Sequence, residues 1–462
     1  RSVTGWQLTT QTYHTVGARI LVDCSGDSIL APLTGADHRI GREARAEFDE
    51  SIAPPEADAK TMGMTCLFQS REYDTPQPFE PPEWAHRYDS CDDLPYGTGA
   101  HRWWQMGYWW IELGGEHDSI HDTENLRDEL LKITFGVWDH LKNRCENCDA
   151  VRNWALEWIQ FLPGKRESRR YIGEHVLTQN DIEAGGPFDD IVAYGGWSMD
   201  DHHPAGFAAV SLGAPPTLFH HAPSPYGIPY RSLYSTNIPN LMFAGRNASC
   251  THAAMSSTRV MGTGCSMGQA VGTAAALAVA KNIDPARMLE HMDDLQQALL
   301  YDDAYLPGVP QAFPDAVARA TLTASAGNPE PVRNGVSRPV DDEQNCWECG
   351  VGDWIAYEFD SPIEVGSVTV IVDSGLDQNV ALSYHQKDDQ LTSPPDVMPK
   401  AFRLEGLIGD QWQTLAHVER NHQRVRRFEI GRDVRGVRVV LEATWGADRS
   451  RVYAFYVTPI RT

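Results

Sequence analysis

Residues 240–276 read NLMFAGRNASCTHAAMSSTRVMGTGCSMGQAVGTAAA. An apolar run, Leu241 to Ala244, stops at Gly245-Arg246, and a polar loop carrying His252 and Arg259 follows. Gly262, Gly264, Gly268 and Gly272 then punctuate a segment that runs into Ala274 to Ala280. The pattern predicts a strand, a loop, a glycine-rich turn and a buried helix of small residues. Small residues let a backbone approach a flat or anionic ligand closely. The helix start adds free N–H groups and the positive end of the dipole. Such an end suits a phosphate, or a ring that becomes anionic on reduction.

Other segments extend the reading. Arg19-Ile-Leu-Val-Asp-Cys-Ser-Gly-Asp27 is an apolar strand closed by a small-residue turn. Ile40-Gly-Arg-Glu-Ala-Arg45, Lys60-Thr-Met-Gly-Met64, Pro163-Gly-Lys-Arg-Glu-Ser-Arg-Arg170 and Ile228-Pro-Tyr-Arg231 follow in order. Together with residues 240–276, this series over about residues 15–310 resembles the FAD-dependent oxidoreductase family related to succinate dehydrogenase and glucose-inhibited-division-type flavoproteins. The resemblance implies FAD as cofactor. It places Gly26 and Asp27 near the adenosine or pyrophosphate side. Gly245 and Arg246 fall where many relatives hold the ribityl chain with an acidic residue. Gly262, Thr263, Gly264, Met267 and Gln269 fall against the pyrimidine edge of the ring, with Arg259 just before them.

Such flavoproteins open with a strand, a G-x-G-x-x-G turn and a helix that bind the ADP half of FAD. No such unit is read in this sequence. Gly262-x-Gly264-x-x-x-Gly268 has other spacing and lacks both a strand just before it and an acidic residue about 20 positions on. The expectation is half of a flavin site, with the ADP-binding unit on a removed N-terminal part or on a partner chain. The fold class expected is α/β: an incomplete FAD-binding Rossmann-like domain with an inserted α+β substrate domain, followed by an all-β jelly-roll sandwich.

The 462 residues suggest two or three domains. A net charge of −24 argues against nucleic acid or an anionic membrane surface as the main partner. No run of about 18 or more apolar residues occurs, so no membrane span is expected. The nine cysteines include Cys145-x-x-Cys148 and Cys346-x-x-Cys349. These two pairs read as one four-thiolate zinc site, as local disulfides, or as free thiols. Cys24, Cys66, Cys250 and Cys265 read as buried thiols. The mixture leans towards a reducing, cytoplasmic compartment, with a periplasmic or secreted one left open.

Along the chain, residues 1–36 and 241–282 read as flavin domain, 37–240 as substrate domain, 283–310 as a helical extension and 311–335 as a linker. Residues 124–143 form an amphipathic helix with Leu126, Leu130, Ile133, Val137 and Leu141 on one face. The alternation Trp104, Met106, Tyr108, Trp110 suits a strand with an aromatic face, either core or a wall for a ring-shaped substrate. Asp284-Pro285 starts a helix with Leu289, Met292, Leu295 and Leu299 inward. From residue 336 the period falls to two, with short strands expected at 354–359, 365–372, 402–407, 412–418, 425–430 and 437–441. This tail resembles discoidin-like (galactose-binding-fold) domains, which implies a glycan-binding or docking module.

The chemistry-bearing residues cluster in three runs. Lys165 to Arg170 is either a solvated charge run or a loop that points Arg166 and Arg169 into a cavity to hold a carboxylate or oxyanion, with pairing through Glu167 as the internal alternative. Asp200-Asp201-His202-His203 and His220-His221 suit a metal or, in the preferred reading, no metal and a general base. His252 is the first choice for that base, then His203 and His202. Tyr230 and Arg231 are candidates to orient a substrate oxygen. The expected activity is hydride transfer between flavin and a small polar substrate such as a carbohydrate or polyol. The alternatives are a non-catalytic glycan-binding or scaffold subunit, and the larger subunit of a flavoprotein split over two chains.

Overall fold

The computed structural model describes residues 2–97, 101, 104–376, 378 and 391–460. The chain forms two units, 1–299 with 304–307 and 300–303 with 308–462.

The first unit opens with an antiparallel hairpin, Ser2–Gln7 and Thr12–Gly17. Trp6 and Tyr13 pack their rings 4.7 Å apart on it, yet both stay exposed. Leu21–Asp23 then runs parallel to Leu241–Phe243, which joins residues 1–36 to residues 241–282 across the intervening chain. Asp23 fixes the loop that follows. Its carboxylate accepts the Ser25 N–H at 2.8 Å, the Leu30 N–H at 3.0 Å and the Tyr171 hydroxyl at 2.6 Å. The Tyr171 ring lies flat on Phe243, 4.4 Å away, and closes this small core.

The helix Met261–Lys281 buries Thr263, Met267, Ala270, Val271, Ala274 and Ala278, a stripe at helical spacing. The expectation of a buried helix holds for that face alone. Gly262, Cys265, Gln269, Gly272 and Ala276 lie on the exposed side. Cys265 and Cys24 are accordingly exposed, whereas Cys66 and Cys250 are buried as expected.

In the inserted part, the predicted amphipathic helix spans Thr123–Asn143 and buries Leu126, Leu130, Ile133, Val137 and Leu141. It packs with Met64, Phe68, Tyr108, Trp110 and Trp154. The expected aromatic strand at 104–110 does not form; Met106 makes only an isolated bridge to Gln69. Tyr108 takes a positive φ of 59°, which breaks the pleat. Tyr108 and Trp110 therefore enter the core while Trp109 points outward, and the aromatic wall is replaced by ordinary core packing. Residues 102 and 103 of that stretch lie outside the described residues. The helix after Asp284 is a 3-10 segment, Pro285–His291, that becomes α-helical at Met292–Tyr301. Met288, Leu295 and Leu299 are buried there, and Leu289 and Met292 only half-buried.

The second unit is all-β apart from short helical turns. Its expected short strands are fused: Trp354–Val372 replaces two of them and Val425–Thr444 another two. These long strands pair antiparallel along most of their length, with bulges between Glu358 and Ile363 and between Val365 and Ser367. Bulges bend a ladder without ending it, which is why the sequence reads as separate short strands. Pro399–Ile408 and Gln411–Val418 extend the pair on the Val425–Thr444 side, and Thr321–Ala324 pairs with Trp354–Val372 on the other side. Arg449–Pro459, with Trp347–Gly350 beyond it, also pairs with Trp354–Val372 on that side. Val368, Val370, Phe402, Leu404, Phe455 and Val457 fill the core between. Residues 311–335, expected as a linker, are folded: Asp315–Arg319 is helical, Thr321–Ala324 pairs with Trp354–Val372, and Val332 is buried in the same core. The Ala, Pro and Asn content of 311–335 hid that strand.

Phe455 is fully buried. Truncation to Ala should cost about 3–5 kcal/mol in urea denaturation followed through the second unit. The exposed Asp410→Ala should stay within about 0.5 kcal/mol. Equal midpoints for the two variants would contradict the core described here.

Candidate active site

The run Lys165 to Arg170 is the hub of a buried polar centre. Successive side chains leave it in different directions. Lys165 and Ser168 reach Asp27 at 2.9 and 2.6 Å. Arg166 donates to Thr65 Oγ1 at 2.6 Å and to the Trp109 carbonyl at 3.1 Å, and lies 3.4 Å from Glu112. Glu167 accepts the Met62 N–H at 2.8 Å and pairs with both His252 and Arg170. Arg170 also donates to Glu43 and to the Gly41 carbonyl, each at 2.7 Å. The reading of Arg166 as an inward residue and the internal pairing through Glu167 thus both hold. Arg169 departs from expectation: among the described residues, its guanidinium meets only the Ser28 carbonyl, at 3.4 Å.

Gly41 shows how tightly this centre is built. It has a φ of +90°, and a Cβ there would stand 2.1 Å from the Asp58 carbonyl oxygen. Glycine alone lets the chain pass and present its carbonyl to Arg170.

His252 starts the helix His252–Thr258, whose N-cap Thr251 accepts the Ala254 N–H. Its Nδ1 lies 2.7 Å from Glu167 and its Nε2 3.1 Å from Asp201. Both ring nitrogens therefore donate. Burial opposes the charge, but the two carboxylates outweigh it and the pKa is pushed up to about 10. At neutral pH His252 is an imidazolium and cannot take a proton, which corrects its assignment as general base. Burial also works against the Asp201 charge, but His252 and Arg42 hold its carboxyl below the usual range.

A second chain of charges runs beside the first. His202 is 2.6 Å from Glu112 through Nδ1 and 3.4 Å from Asp200 through Nε2. Arg259 donates to the Asp200 carbonyl and carboxylate at 3.1 and 3.3 Å. Burial, and then the Arg166 charge, pull the Arg259 pKa below its ordinary value. Arg259 Nε and Asp200 Oδ1 are both buried with no partner. Asp200 and Asp201 are thus held by arginine and histidine partners, and His202 by the carboxylates of Glu112 and Asp200. His203 is half-buried, and the Ala205 N–H points to its Nδ1 at 3.2 Å.

Tyr230 and Arg231 do not join this centre. The Tyr230 ring is fully buried and its hydroxyl donates to the Pro285 carbonyl at 2.8 Å. Arg231 is spent on a two-point pair with Asp190. Of the proposed cofactor residues, Gly26 has φ +77° and a Cβ there would strike Arg246 at 2.9 Å. Arg246 in turn bonds Asp27 at 2.8 Å and Ser168 at 3.1 Å. Burial raises the Asp27 pKa, but Ser168, Arg246 and Lys165 outweigh it and leave it low. Gly245 and Gly264 come together, a Cβ on Gly264 standing 3.6 Å from Gly245 Cα. Thr263 and Met267 turn their side chains into the core, and Gln269 lies on the exposed face.

The residues at the helix start fit a flat ring. At Gly262, Gly268 and Gly272 nothing stands within 4 Å of a Cβ position. Val260 gives the helix no side-chain cap, so its first N–H groups are available. The orphaned Arg259 Nε lies just before them in sequence. Glu112, missed by sequence reasoning, has no motif around it. Glu43, Glu167 and Asp201 sit inside quoted motifs, but their pairing is tertiary.

The His252 charge sets a pH dependence. The folded state keeps a proton that the unfolded chain loses near pH 6.5. Its stabilisation is therefore complete below about pH 6.5 and is lost as pH rises towards about 10. His252→Ala should cost about 3–5 kcal/mol at pH 7, because it strands two buried carboxylates. It should also flatten the fall in stability across that window. Ring-nitrogen NMR should find both nitrogens protonated at pH 8, and a neutral ring there would refute the pairing.

No curated protein matches this chain. Among solved structures, the family 32 carbohydrate-binding module of Streptococcus pneumoniae EndoD is 14% identical, covering 31% of this chain and 97% of that one, with a TM-score of 0.24. The family 32 module of C. perfringens NanJ, solved in complex with galactose, is 8% identical over 30% of this chain and 93% of that one, with a TM-score of 0.23. A chitosan-binding module from a Paenibacillus chitosanase/glucanase is 16% identical over 31% and 96%, with a TM-score of 0.22. Among the described residues, no helix is long and apolar enough to cross a membrane. The family described as FAD dependent oxidoreductase matches residues 1–299, and the chain belongs to that family.

Proposed function

We propose that this chain exchanges hydride between FAD and a hydroxyl-bearing carbon of a small polar substrate, a sugar or polyol. The observation that carries the substrate class is the orphaned pair Arg259 Nε and Asp200 Oδ1. One is a donor and the other an acceptor, both buried, and unmet groups of this kind are costly. A substrate hydroxyl satisfies both at once, since it donates and accepts.

The family implies FAD, which when bound supplies the hydride acceptor or donor. Gly245, Gly262 and Gly264 would hold the ring, with the first N–H groups of Met261–Lys281 at its edge. Arg166 and Arg259 place positive charge where an alkoxide develops. Asp200 orients the hydroxyl, and its proton passes into the Asp200–His202–Glu112 chain. His252 keeps Glu167 and Asp201 in place. The ADP half requires a G-x-G-x-x-G unit from a further segment or a partner chain. The exposed Trp6, Tyr13 and Val16 and the open side of Met261–Lys281 support a docking surface for it.

The test is anaerobic. The chain, alone and co-expressed with an ADP-binding unit, is examined for flavin absorption and then mixed with a panel of sugars and polyols. Retained flavin that bleaches with a member of the panel supports the proposal. Flavin that no member bleaches removes the substrate class, and absence of flavin under both conditions removes the redox reading. Gly264→Leu should abolish flavin retention with an unchanged circular dichroism spectrum. Arg259→Gln should lower kcat about 10²–10³-fold with flavin still bound.

A further inference from the structure

The buried group Cys91, His101, His140 and Cys145 belongs to neither charge chain. One ligand atom from each lies within 4.8 Å of all the others, and all four residues are buried. Cys91 Sγ is 3.7 Å from Cys145 Sγ and 3.4 Å from His140 Nε2. Cys145 Sγ is 3.5 Å from His101 Nδ1. A tetrahedral zinc ion with bonds of about 2.3 Å to sulfur and 2.0–2.1 Å to nitrogen would space two sulfurs about 3.8 Å apart, and sulfur from nitrogen about 3.6 Å. These three separations match edges of that tetrahedron. We propose that Cys91, His101, His140 and Cys145 form a structural Zn(II) site.

The supporting contacts have the form a zinc site needs. His140 Nδ1 lies 3.0 Å from the Tyr88 carbonyl oxygen. Donation there leaves the Nε2 lone pair facing the two sulfurs, the usual outer support of a ligating imidazole. The Asn147 N–H points to Cys145 Sγ at 3.4 Å, which favours a thiolate. Cys91 is fixed by a reciprocal cap, Ser90 accepting the Asp92 N–H and Asp93 accepting the Ser90 N–H. His140 sits in the last turn of Thr123–Asn143, and the Cys145 N–H closes on its carbonyl at 2.7 Å. Two thiolates and two neutral imidazoles balance a divalent cation and suit zinc. Four protein ligands leave no open position, so the ion staples the segment around Cys91 and His101 to the end of that helix. From the sequence, Cys145 instead pairs with Cys148, and with Cys346 and Cys349, as one alternative for a four-thiolate zinc site. Cys148 is only half-buried, and Cys346 and Cys349 belong to the other unit.

The experiment uses the full chain purified without chelator. Elemental analysis should find about one zinc per chain, and X-ray absorption should resolve two sulfur and two nitrogen neighbours. Replacement by Co(II) should give thiolate charge-transfer and tetrahedral ligand-field bands. Cys145→Ser and Cys91→Ser should each lose the zinc or at least tenfold in zinc affinity, while Cys148→Ser keeps it. Stripping the metal should lower the melting temperature of the first unit, and Zn(II) should restore it. A metal-free protein that takes up no zinc overturns the site. So does a mass two hydrogens lighter from a Cys91–Cys145 disulfide, or a zinc shell without two sulfurs. The shell is read on the unaltered protein, so a variant that fails to fold does not decide the matter.

Discussion

The carboxylate of Glu167 carries the centre of the first unit. It is fully buried and binds a guanidinium, an imidazolium and a backbone N–H. A charge at that depth survives only when its lone pairs are met. Meeting them brings four stretches of chain to one point: the loop before Met62, the run around residue 167, Arg170 with its Glu43 partner, and the first turn of His252–Thr258.

The charge layout has a second lesson. The chain carries a formal charge of −24, yet its polar centre gathers Arg166, Arg170, Arg246, Arg259 and His252. Each cation is tied to an acidic partner, but Arg170 and Arg259 each keep an unmet Nε–H among the described residues. Among the described residues of this centre, Arg170 Nε, Arg259 Nε, Asp200 Oδ1 and Asn247 Oδ1 are buried without a partner, and Arg259 and Asp200 are themselves a pair.

What the sequence showed was whatever repeats at short range. The helix Thr123–Asn143 was legible because its apolar residues recur at helical spacing and nothing else competes. The strand Leu241–Phe243 and the glycine series were legible from local composition. Features set by distant partners were hidden. His252 looked like a proton acceptor because sequence cannot show that two carboxylates, one of them 85 residues away, face its two nitrogens. Tyr230 looked available because its Pro285 partner is 55 residues off. The aromatic alternation at 104–110 failed on one backbone angle at Tyr108. The fused strands of the second unit were cut into pieces by bulges that keep pairing but interrupt the period-two pattern.

Those two fused strands make the second unit mechanically indivisible. Trp354–Val372 and Val425–Thr444 pass through both ends of the sheet, so neither end has a backbone of its own. A slip of one residue would turn every inward valine outward at both ends together. Loops at the periphery can therefore drift in length and chemistry over evolutionary time while the frame that displays them is locked.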